Sequence, residues 1–295
     1  MRYSVAMAYA LLLGCTLLSR ALASVIVLTP ELDDDGYGLL HPETYGNNTI
    51  LQFNQSLSTI RFRSRYEFHV HNLTIDCVSG RARPLLMRFD DDDKIASRLR
   101  LFGNNSRVVG CQLHIKSTYG ISLSASNGEV DGVSITGTGN SSYGIWVDTV
   151  GNATVKASNF TSLFIGVNIN AASSVRVISS AFIDVNAGVK GLGAPTSVHN
   201  CSFVNPIKLY AVYLVKGGDV ANCSFGHIPG CPMLSKSKPQ IPAAACLPAA
   251  TSQYVKTEGG NISIVNNTFV INIPRAGYSS LEARVKLDQG PTPVV

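Results

Sequence analysis

Four consecutive aspartates, Asp90 to Asp93, are the residues whose type points most directly to chemistry. Calcium prefers several oxygen ligands, so a carboxylate cluster on an inserted loop is a candidate calcium site. Adjacent residues of an extended chain point to opposite sides, however, so these four carboxylates cannot all converge on one ion. We therefore interpret the run as a solvated acidic loop and predict no metal, with Asp90, Asp91, Asp92 and Asp93 as weak candidates only.

Residues for acid–base or nucleophilic catalysis form no recognisable set. Glycoside hydrolysis uses two carboxyl groups that flank the scissile bond, and the Asp-Asp run of this chain falls in a loop. Nucleophilic catalysis needs a serine, a histidine and an acid in one arrangement. The histidines show no such pattern and are interpreted as surface or turn residues, namely His69, His71, His114, His199 and His227.

The N-terminus and the composition indicate an exported chain. Arg2 precedes an apolar run from Val5 to Leu18, and Ala21-Leu22-Ala23 follows, which predicts a signal peptide over 1–23 with cleavage after Ala23. No later stretch has the roughly 18 apolar residues of a membrane span. The net charge of +5 is modest and its basic residues are dispersed, which argues against a nucleic-acid partner.

Asn-x-Ser/Thr acceptors for N-glycosylation occur eleven times. Four of them, described below, have a structural explanation within a repeat. Glycans are predicted on the other seven, Asn47, Asn54, Asn104, Asn140, Asn152, Asn159 and Asn261.

One pair of apolar residues, spaced five apart, recurs along the chain. Its members are Val108/Leu113, Val130/Ile135, Val155/Phe160, Val177/Phe182, Val198/Phe203, Val220/Phe225 and Ile264/Phe269, with Val70/Ile75 as a weaker earlier member. The intervals between the seven main pairs are 22, 25, 22, 21, 22 and 44 residues. The last interval is twice 22, so it contains either a hidden repeat or an insertion.

A second element lies between these pairs and alternates apolar and polar residues with a period of two, which is typical of strands. It occurs at Tyr119–Leu123, Tyr143–Val147, Ile165–Ile169, Ala187–Lys190 and Tyr210–Leu214. No helical periodicity appears between Leu99 and Phe269. The chain is therefore predicted to be all-β in this region.

The phase of the repeat favours a parallel solenoid over a sandwich, because stacked coils place equivalent residues on one another. Two residues after the first apolar position stand Asn72, Gly110, Gly132, Ala157, Ser179, Asn200, Asn222 and Asn266. Asn and Gly tolerate a left-handed backbone, so this column is predicted to be a tight bend. The next residues, Leu73, Cys111, Val133, Ser158, Ser180, Cys201, Cys223 and Asn267, are predicted to face inward.

These spacings and columns resemble the right-handed parallel β-helix of the pectin-lyase-like superfamily, from about Tyr66 to Val270. The resemblance implies three strands per coil of about 22 residues, and bend asparagines that hydrogen-bond along the axis. Asn72, Asn200, Asn222 and Asn266 are therefore interpreted as ladder residues first and glycan acceptors second. No catalytic motif of the superfamily matches residue by residue.

In relatives of this fold the outer face of the first strand binds polysaccharide. Its outward positions here are expected to bring aromatic, amide and basic side chains into line. The candidate ligand-binding residues are Ser122, Trp146, Asp148, Asn168, Asn170, Lys190 and Tyr213, with Ser124 beside them. Asp148 is the one carboxylate among them, too few for an acid–base pair.

Three segments break the repeat and divide the chain. We predict an N-terminal cap over 24–65, a β-helix over 66–270 with insertions near 79–104 and 226–257, and a C-terminal cap or tail over 271–295. Six cysteines remain after cleavage, which permits disulfides in an exported chain. Cys231 and Cys246 are expected to close the second insertion, Cys201 and Cys223 are a disulfide or a free stacked pair, and Cys77 and Cys111 are the remaining pair.

The favoured function is a secreted β-helix glycoprotein without a recognisable catalytic set, used for binding or display at an extracellular, cell-wall or virion surface. A polysaccharide or a glycoprotein glycan is the candidate ligand, and no cofactor is expected. The alternative is a divergent polysaccharide lyase or glycoside hydrolase, pectate-lyase-like or polygalacturonase-like, acting on acidic polysaccharide. In that alternative Asp148, Lys190 and the acidic run are the first candidates, and calcium is the candidate cofactor.

Overall fold

The computed structural model describes residues 23–29, 42–62, 65–89, 98–116, 119–148, 151–205, 210–226, 253–258 and 261–270. These residues contain 25 strands and one short 3-10 turn, Pro42–Thr44. In chain order the strands are β1 (Ser24–Leu28), β2 (Thr49–Phe53), β3 (Thr59–Phe62), β4 (Arg65–Phe68), β5 (Thr74–Asp76), β6 (Leu86–Phe89), β7 (Arg98–Leu101), β8 (Arg107–Val109), β9 (Gln112–Ile115), β10 (Tyr119–Leu123), β11 (Gly128–Asp131), β12 (Ser134–Asp148), β13 (Asn152–Lys156), β14 (Asn159–Ala171), β15 (Ser174–Ile178), β16 (Ala181–Ile183), β17 (Ala187–Gly191), β18 (Thr196–His199), β19 (Ser202–Val204), β20 (Tyr210–Leu214), β21 (Gly218–Ala221), β22 (Ser224–Gly226), β23 (Gln253–Thr257), β24 (Ile262–Val265) and β25 (Thr268–Val270).

All described strand pairs are parallel, and they stack coil on coil into a β-solenoid, as predicted. The first face, here called the Val face, is a ten-stranded sheet in the order β1-β2-β5-β8-β11-β13-β15-β18-β21-β24. One inward column runs through it in continuous register: Ile26, Leu51, Ile75, Val108, Val130, Val155, Val177, Val198, Val220 and Ile264. A parallel ladder places like on like, which is why the same residue type returns at this position.

The other two faces are joined through the long strands β12 and β14. The Phe face comprises β3, β6, β9, the first parts of β12 and β14, β16, β19, β22 and β25. The Gly face comprises β4, β7, β10, the second parts of β12 and β14, β17, β20 and β23. The predicted Tyr-Gly-Ile type elements are the strands of the Gly face.

The core lies between the three faces and contains a stack of phenylalanine rings. Phe160, Phe182, Phe203 and Phe225 follow one another at centroid distances of 4.8, 4.7 and 5.0 Å, with nearly parallel planes. A column of glycines borders this stack at the start of the Gly face. A Cβ on Gly166 would lie 2.6 Å from the ring of Phe182, so the stack requires glycine there.

The bend between the Val face and the Phe face has the predicted left-handed backbone. Positive φ angles occur at Gly110, Gly132, Ala157, Ser179, Asn200, Asn222 and Asn266. The prediction that Asn72 lies in this bend column was wrong. Because Ile75 pairs with Val108, the Val70/Ile75 pair is out of phase with the later pairs.

Asn72 instead lies in an amide ladder at the corner between the Gly face and the Val face. Asn72 donates to Asn48 (2.7 Å), Asn105 donates to Asn72 (2.9 Å), and Asn127 donates to Asn105 (3.0 Å), each from Nδ2 to Oδ1. All four have positive φ angles. The expected axial hydrogen bonding between bend asparagines therefore exists, but at a different corner.

The residues that follow the bend face inward and serve the preceding coil as hydrogen-bond acceptors. Ser158 Oγ accepts the backbone N–H of Val133, and Ser180 Oγ accepts that of Ser158, both at 3.2 Å. Further along, Cys223 Sγ accepts the N–H of Cys201 at 3.4 Å. Each acceptor satisfies a buried donor that the sheets leave unpaired, which explains the Ser, Cys and Asn in this column.

Three boundaries differ from the prediction. The segment 24–65 is not a separate cap, because its strands β1 to β4 already pair in register with later coils. The interval of 44 residues contains an insertion rather than a hidden repeat, because β21 pairs directly with β24 and β20 with β23. The predicted insertion near 79–104 was too wide, because it includes strands β6 and β7 of the solenoid. Residues 90–97 and 227–252 each follow a Phe-face strand and precede a Gly-face strand, and they lie outside the described residues. Residues 1–22 and 271–295 lie outside the described residues.

The described cysteines comprise one disulfide and one pair of thiols. Cys77 and Cys111 are bonded, with a Cα–Cα distance of 4.9 Å. Cys201 and Cys223 are buried and free, so the stacked pair of thiols describes them and the disulfide does not. The hydrogen bond with Cys223, together with burial, raises the pKa of the Cys201 thiol. Cys231 and Cys246 lie outside the described residues.

Candidate binding face

One outward column runs the length of the Gly face and contains the predicted row in the predicted order. Register pairs join its members coil by coil: Glu67, Arg100, Ser122, Trp146, Asn168, Lys190, Tyr213 and Lys256. Neighbouring strands are about 4.8 Å apart, so these side chains rise from the sheet at one per coil along the axis. The sequence predicted five of the eight; the column extends beyond them at both ends.

Four aromatic rings form one cluster, those of Tyr119, Tyr143, Trp146 and Phe164. The ring of Tyr119 lies 4.8 Å from that of Tyr143 in a stacked arrangement and 4.8 Å from Trp146 edge-on. Phe164 contacts Tyr143 edge-to-face at 5.5 Å. The rings are partly exposed, so they form an aromatic platform on the outer surface.

These tyrosines lie on the outer surface, beside residues that face the core. A Cβ on Gly144 would lie 2.9 Å from the ring of Phe160, so position 144 faces the core. Tyr143 is partly exposed and its ring contacts that of Trp146, whereas Gly144 and Ile145 are both buried, so the regular alternation of the strand is interrupted here. Tyr119 and Tyr210 occupy the same register column as Tyr143. The Tyr-Gly pair was the signal for these residues, but the sequence interpretation did not include them in the site.

At the N-terminal end of the face, Arg100 is held by polar and aromatic neighbours. Its guanidinium lies 3.5 Å from the Glu67 carboxylate and 4.2 Å from the centroid of the Phe102 ring. Its Nε–H donates to Ser124 Oγ at 3.1 Å. Arg100 is therefore a fixed, charge-compensated group.

At the C-terminal end, Tyr213 and Lys256 form a second aromatic–basic group with Glu258. Lys256 Nζ lies 4.7 Å from the centroid of the Tyr213 ring and 2.5 Å from a Glu258 oxygen. Tyr213 donates its hydroxyl to the other Glu258 oxygen at 2.5 Å. Burial and the hydrogen bond to Glu258 raise the pKa of Tyr213 to about 12, so its hydroxyl stays protonated.

The centre of the column differs from the prediction in exposure. Ser122 exposes 1% of its surface and Asn168 5%, although both were expected to contact a ligand. Each is a short side chain between larger neighbours of the same column, Arg100 and Trp146 for Ser122, Trp146 and Lys190 for Asn168. The reachable groups of the predicted row are thus Trp146, Lys190 and Tyr213.

The predicted residues Asp148 and Asn170 are not in register with each other. A bulge between Val147 and Asp148 pairs Asp148 with Ala171 rather than with Asn170. Asp148 and Asn170 are both exposed at the end of the Gly face. They flank the row but do not extend it in register.

The structure does not bring the candidate catalytic groups together. Lys190 lies in the same outward column as Trp146, two coils further along the axis. Asp148 lies on β12, two residues after Trp146 and outside that column. The acidic run Asp90 to Asp93 lies outside the described residues. Within the described part of the chain, no three His, Cys, Asp or Glu side chains are grouped so as to hold a metal ion.

One Ser–Asp–His contact occurs on the outer Val face, which the sequence interpretation missed. Asp219 accepts a hydrogen bond from Ser197 Oγ at 2.7 Å and contacts His199 Nε2 with its other oxygen. Burial raises the pKa of Asp219, but the hydrogen bonds with Ser197 and His199 lower it by more. The net effect is a lowered pKa. Because the carboxylate stands between serine and histidine, the set cannot activate the serine as a nucleophile.

Most glycan acceptors lie away from the Gly face. Asn140 lies on β12, three residues before Tyr143, whereas the other ten Asn-x-Ser/Thr sequences begin outside the Gly-face strand segments. The corners beside the Val face hold Asn47, Asn104, Asn152 and Asn261. These four are exposed. Asn47, Asn104 and Asn152 each use Oδ1 to accept a bond from the next coil, at 2.9, 3.1 and 2.9 Å. Their nitrogens, to which a glycan would attach, are not part of these bonds.

Comparisons with family models, with curated proteins and with solved structures gave no match. No helix among the described residues is both long and apolar enough to cross a membrane. The geometry of the Gly face therefore carries the functional argument alone.

Proposed function

We propose that the protein is an exported, N-glycosylated β-solenoid that binds a polysaccharide along its Gly face. The observation that carries the proposal is the outward column itself, in which Trp146, Lys190 and Tyr213 lie in register along the axis. Sugar rings pack against exposed aromatic faces, and their hydroxyl groups need polar partners nearby. The aromatic platform and the groups beyond it supply both.

The direction of the column favours an extended chain of sugars rather than a single one. Side chains recur about every 4.8 Å along the axis, and an extended pyranose chain has a repeat of similar length. A glycan lying along the axis would therefore meet Trp146, then Lys190 two coils on, then Tyr213 one coil further. The resemblance to the pectin-lyase-like superfamily, in which this face binds polysaccharide, agrees with that placement.

The positions of ten of the eleven glycan acceptors, outside the Gly-face strand segments, support the same assignment. An N-glycan is bulky and would cover the sheet from which it rises. Acceptors at the corners leave the aromatic platform open. Export, proposed from the signal peptide over 1–23, would place the face among extracellular glycans.

Binding to a panel of neutral and acidic oligosaccharides, measured by calorimetry on the full chain, tests the proposal. Trp146→Ala should weaken binding at least tenfold, while Trp146→Phe should retain most of it because an aromatic face remains. Arg176→Ala, on the exposed Val face, is the control and should bind as the wild type does. Equal affinity of the Trp146→Ala and wild-type chains would overturn the proposed site.

The same panel distinguishes binding from cleavage. Formation of unsaturated uronide products, followed by absorbance with and without calcium, would indicate a lyase. Turnover that disappears in Asp148→Ala or Lys190→Ala would contradict a function limited to binding. We expect retention of intact oligosaccharides and no such products.

A further inference from the structure

A column of basic side chains lies on the outer surface of the Phe face. Register pairs place Arg61 opposite Arg88 and Arg88 opposite His114. Each is a full coil from the next in sequence, so the apparently dispersed basic residues become neighbours only in the fold. Lys116, exposed, follows the end of β9 on the same side of the solenoid as His114.

This column differs from several other groups of charged residues on the solenoid, which contain acidic partners. On the Val face, Arg107 and Lys156 both contact Glu129 at 2.9 Å and Asp131 at 3.4 and 3.2 Å. On the Gly face, Arg100 and Lys256 have Glu67 and Glu258. No acidic residue occurs on any described strand of the Phe face.

Two like charges directly opposite one another destabilise a sheet. Arg61 and Arg88 are such a pair, about 4.8 Å apart at the backbone. The Nε of Arg88 is buried and, within the described structure, has no hydrogen-bond partner. Among the described residues, Arg88 therefore combines an unmet donor with a charge that no acidic side chain compensates, and an anion bound at its guanidinium would compensate that charge.

We propose that Arg61 and Arg88 bind a sulfate ester of a sulfated polysaccharide, with the chain continuing toward His114 and Lys116. A guanidinium group offers a planar fork of donors that matches oxyanions. A carboxylate has two oxygens, enough for one fork, whereas a tetrahedral ester has three free oxygens and can bridge two. Phosphate esters share this geometry. We choose the sulfate ester of a polysaccharide because the proposed export of the chain places it among extracellular glycans.

The inference takes export from the proposed function, but it concerns a different face and different residues. Loss of one binding activity therefore leaves the other intact. Trp146→Ala should leave binding at the Phe face unchanged, and the arginine variants should leave binding at the Gly face unchanged.

The test measures binding of a heparin-derived oligosaccharide to the full chain by calorimetry at low and moderate salt. Arg61→Gln combined with Arg88→Gln should weaken binding at least tenfold and reduce the dependence of affinity on salt. Arg176→Gln removes an exposed arginine on the Val face and is the matched control. It should bind as the wild type does, and an equal loss there would overturn the proposal as non-specific attraction.

Two further probes identify the anion. An oligogalacturonate carries carboxylates only, and equal affinity for it would overturn the assignment to a tetrahedral ester. Inositol hexakisphosphate carries phosphate esters, and binding of this probe or of a nucleic acid in place of the sulfated chain would overturn the assignment to sulfated polysaccharide.

The acidic run Asp90 to Asp93 begins two residues after Arg88 in the sequence, and it is a potential competitor for the arginines. A variant with all four replaced by asparagine is therefore measured beside the wild type. Arginine-dependent binding by either chain supports the proposal. Failure of both chains to bind the sulfated oligosaccharide overturns it. Circular dichroism and thermal unfolding confirm that each variant remains folded.

Discussion

The backbone N–H of Cys201 donates to the Sγ of Cys223 one coil further on, with an N···S distance of 3.4 Å. The same relation joins Cys223 to Asn267, whose Oδ1 accepts the Cys223 N–H at 2.8 Å. The side chain after the bend is thus an acceptor for the preceding coil, whether it is Ser, Cys or Asn. These cysteines have a structural role that does not depend on a disulfide.

Removal of one acceptor should destabilise the solenoid. Cys223→Ala leaves the buried N–H of Cys201 without a partner, and an unsatisfied buried donor costs roughly 1–3 kcal/mol. Cys223→Ser keeps an acceptor, as Ser158 and Ser180 do at equivalent positions, and should cost less. Denaturant unfolding of both variants measures the difference. Equal stability of the two would show that the hydrogen bond contributes nothing.

The phenylalanine stack should not tolerate a methyl group on its glycine border. Gly166→Ala places a Cβ 2.6 Å from the Phe182 ring and 2.7 Å from the Gly188 carbonyl oxygen. Overpacking of this kind costs about 1–3 kcal/mol. Gly46→Ala is the matched control, because a Cβ there meets nothing within 4 Å. Thermal unfolding should show a lower midpoint for Gly166→Ala and little change for Gly46→Ala; the reverse order would contradict the packing.

The amide ladder should separate hydrogen bonding from backbone conformation. Asn105 has a φ angle of 58° and takes part in amide bonds to Asn72 and Asn127. Asn105→Gly loses the bonds but accepts the left-handed backbone, whereas Asn105→Ala also adds about 1–2 kcal/mol of conformational strain. The expected order of unfolding free energies is wild type, then glycine, then alanine. An alanine variant as stable as the glycine variant would contradict the assigned conformation.

The ion cluster on the Val face should make stability depend on pH at the acid end. Burial raises the pKa of Glu129, but hydrogen bonds and charges from Lys156 and Arg107 outweigh it, and the net pKa is lowered. A carboxyl group whose pKa is lower when folded contributes stability above its unfolded pKa, and this is lost as the pH falls through the folded value. Unfolding free energy should therefore decline below about pH 4, the ordinary range for this group.

Glu129→Gln isolates that contribution, because the glutamine cannot titrate. Its stability should change less between pH 6 and pH 3 than that of the wild type. A pH profile that is identical in the two chains would show that Glu129 contributes nothing to the acid dependence.

The sequence was sufficient to predict the stacking of coils, because a parallel solenoid repeats its residue types at one phase. The outward row from Ser122 to Tyr213 followed from the same periodicity. Burial of Ser122 and Asn168 did not, since it depends on the size of neighbours in adjacent coils. The bulge at Asp148 and the early start of the solenoid were also missed, because both change the register without changing residue types.

Side chains that are neighbours across coils could not be predicted from local patterns either. Examples are Arg61 with Arg88 and Ser197 with Asp219. The members of each pair are a coil apart in sequence, so the register is needed to show that they are neighbours. The aromatic platform is an intermediate case. Its Tyr-Gly pairs were visible, but only the ring contacts and partial exposure in the structure show that the tyrosines lie on the outer surface with Trp146.

The most direct test of binding at the Gly face uses the intrinsic fluorescence of Trp146, the only tryptophan in the chain. Stacking of a sugar ring on its partly exposed indole should change the emission of the full chain as oligosaccharide is added. We expect a saturable shift in Trp146 emission with one or more oligosaccharides of the neutral and acidic panel, at the concentrations where calorimetry detects binding. Calorimetric binding that persists in the chain with Arg61→Gln and Arg88→Gln, without any change in Trp146 emission, would contradict the proposed binding at the Gly face.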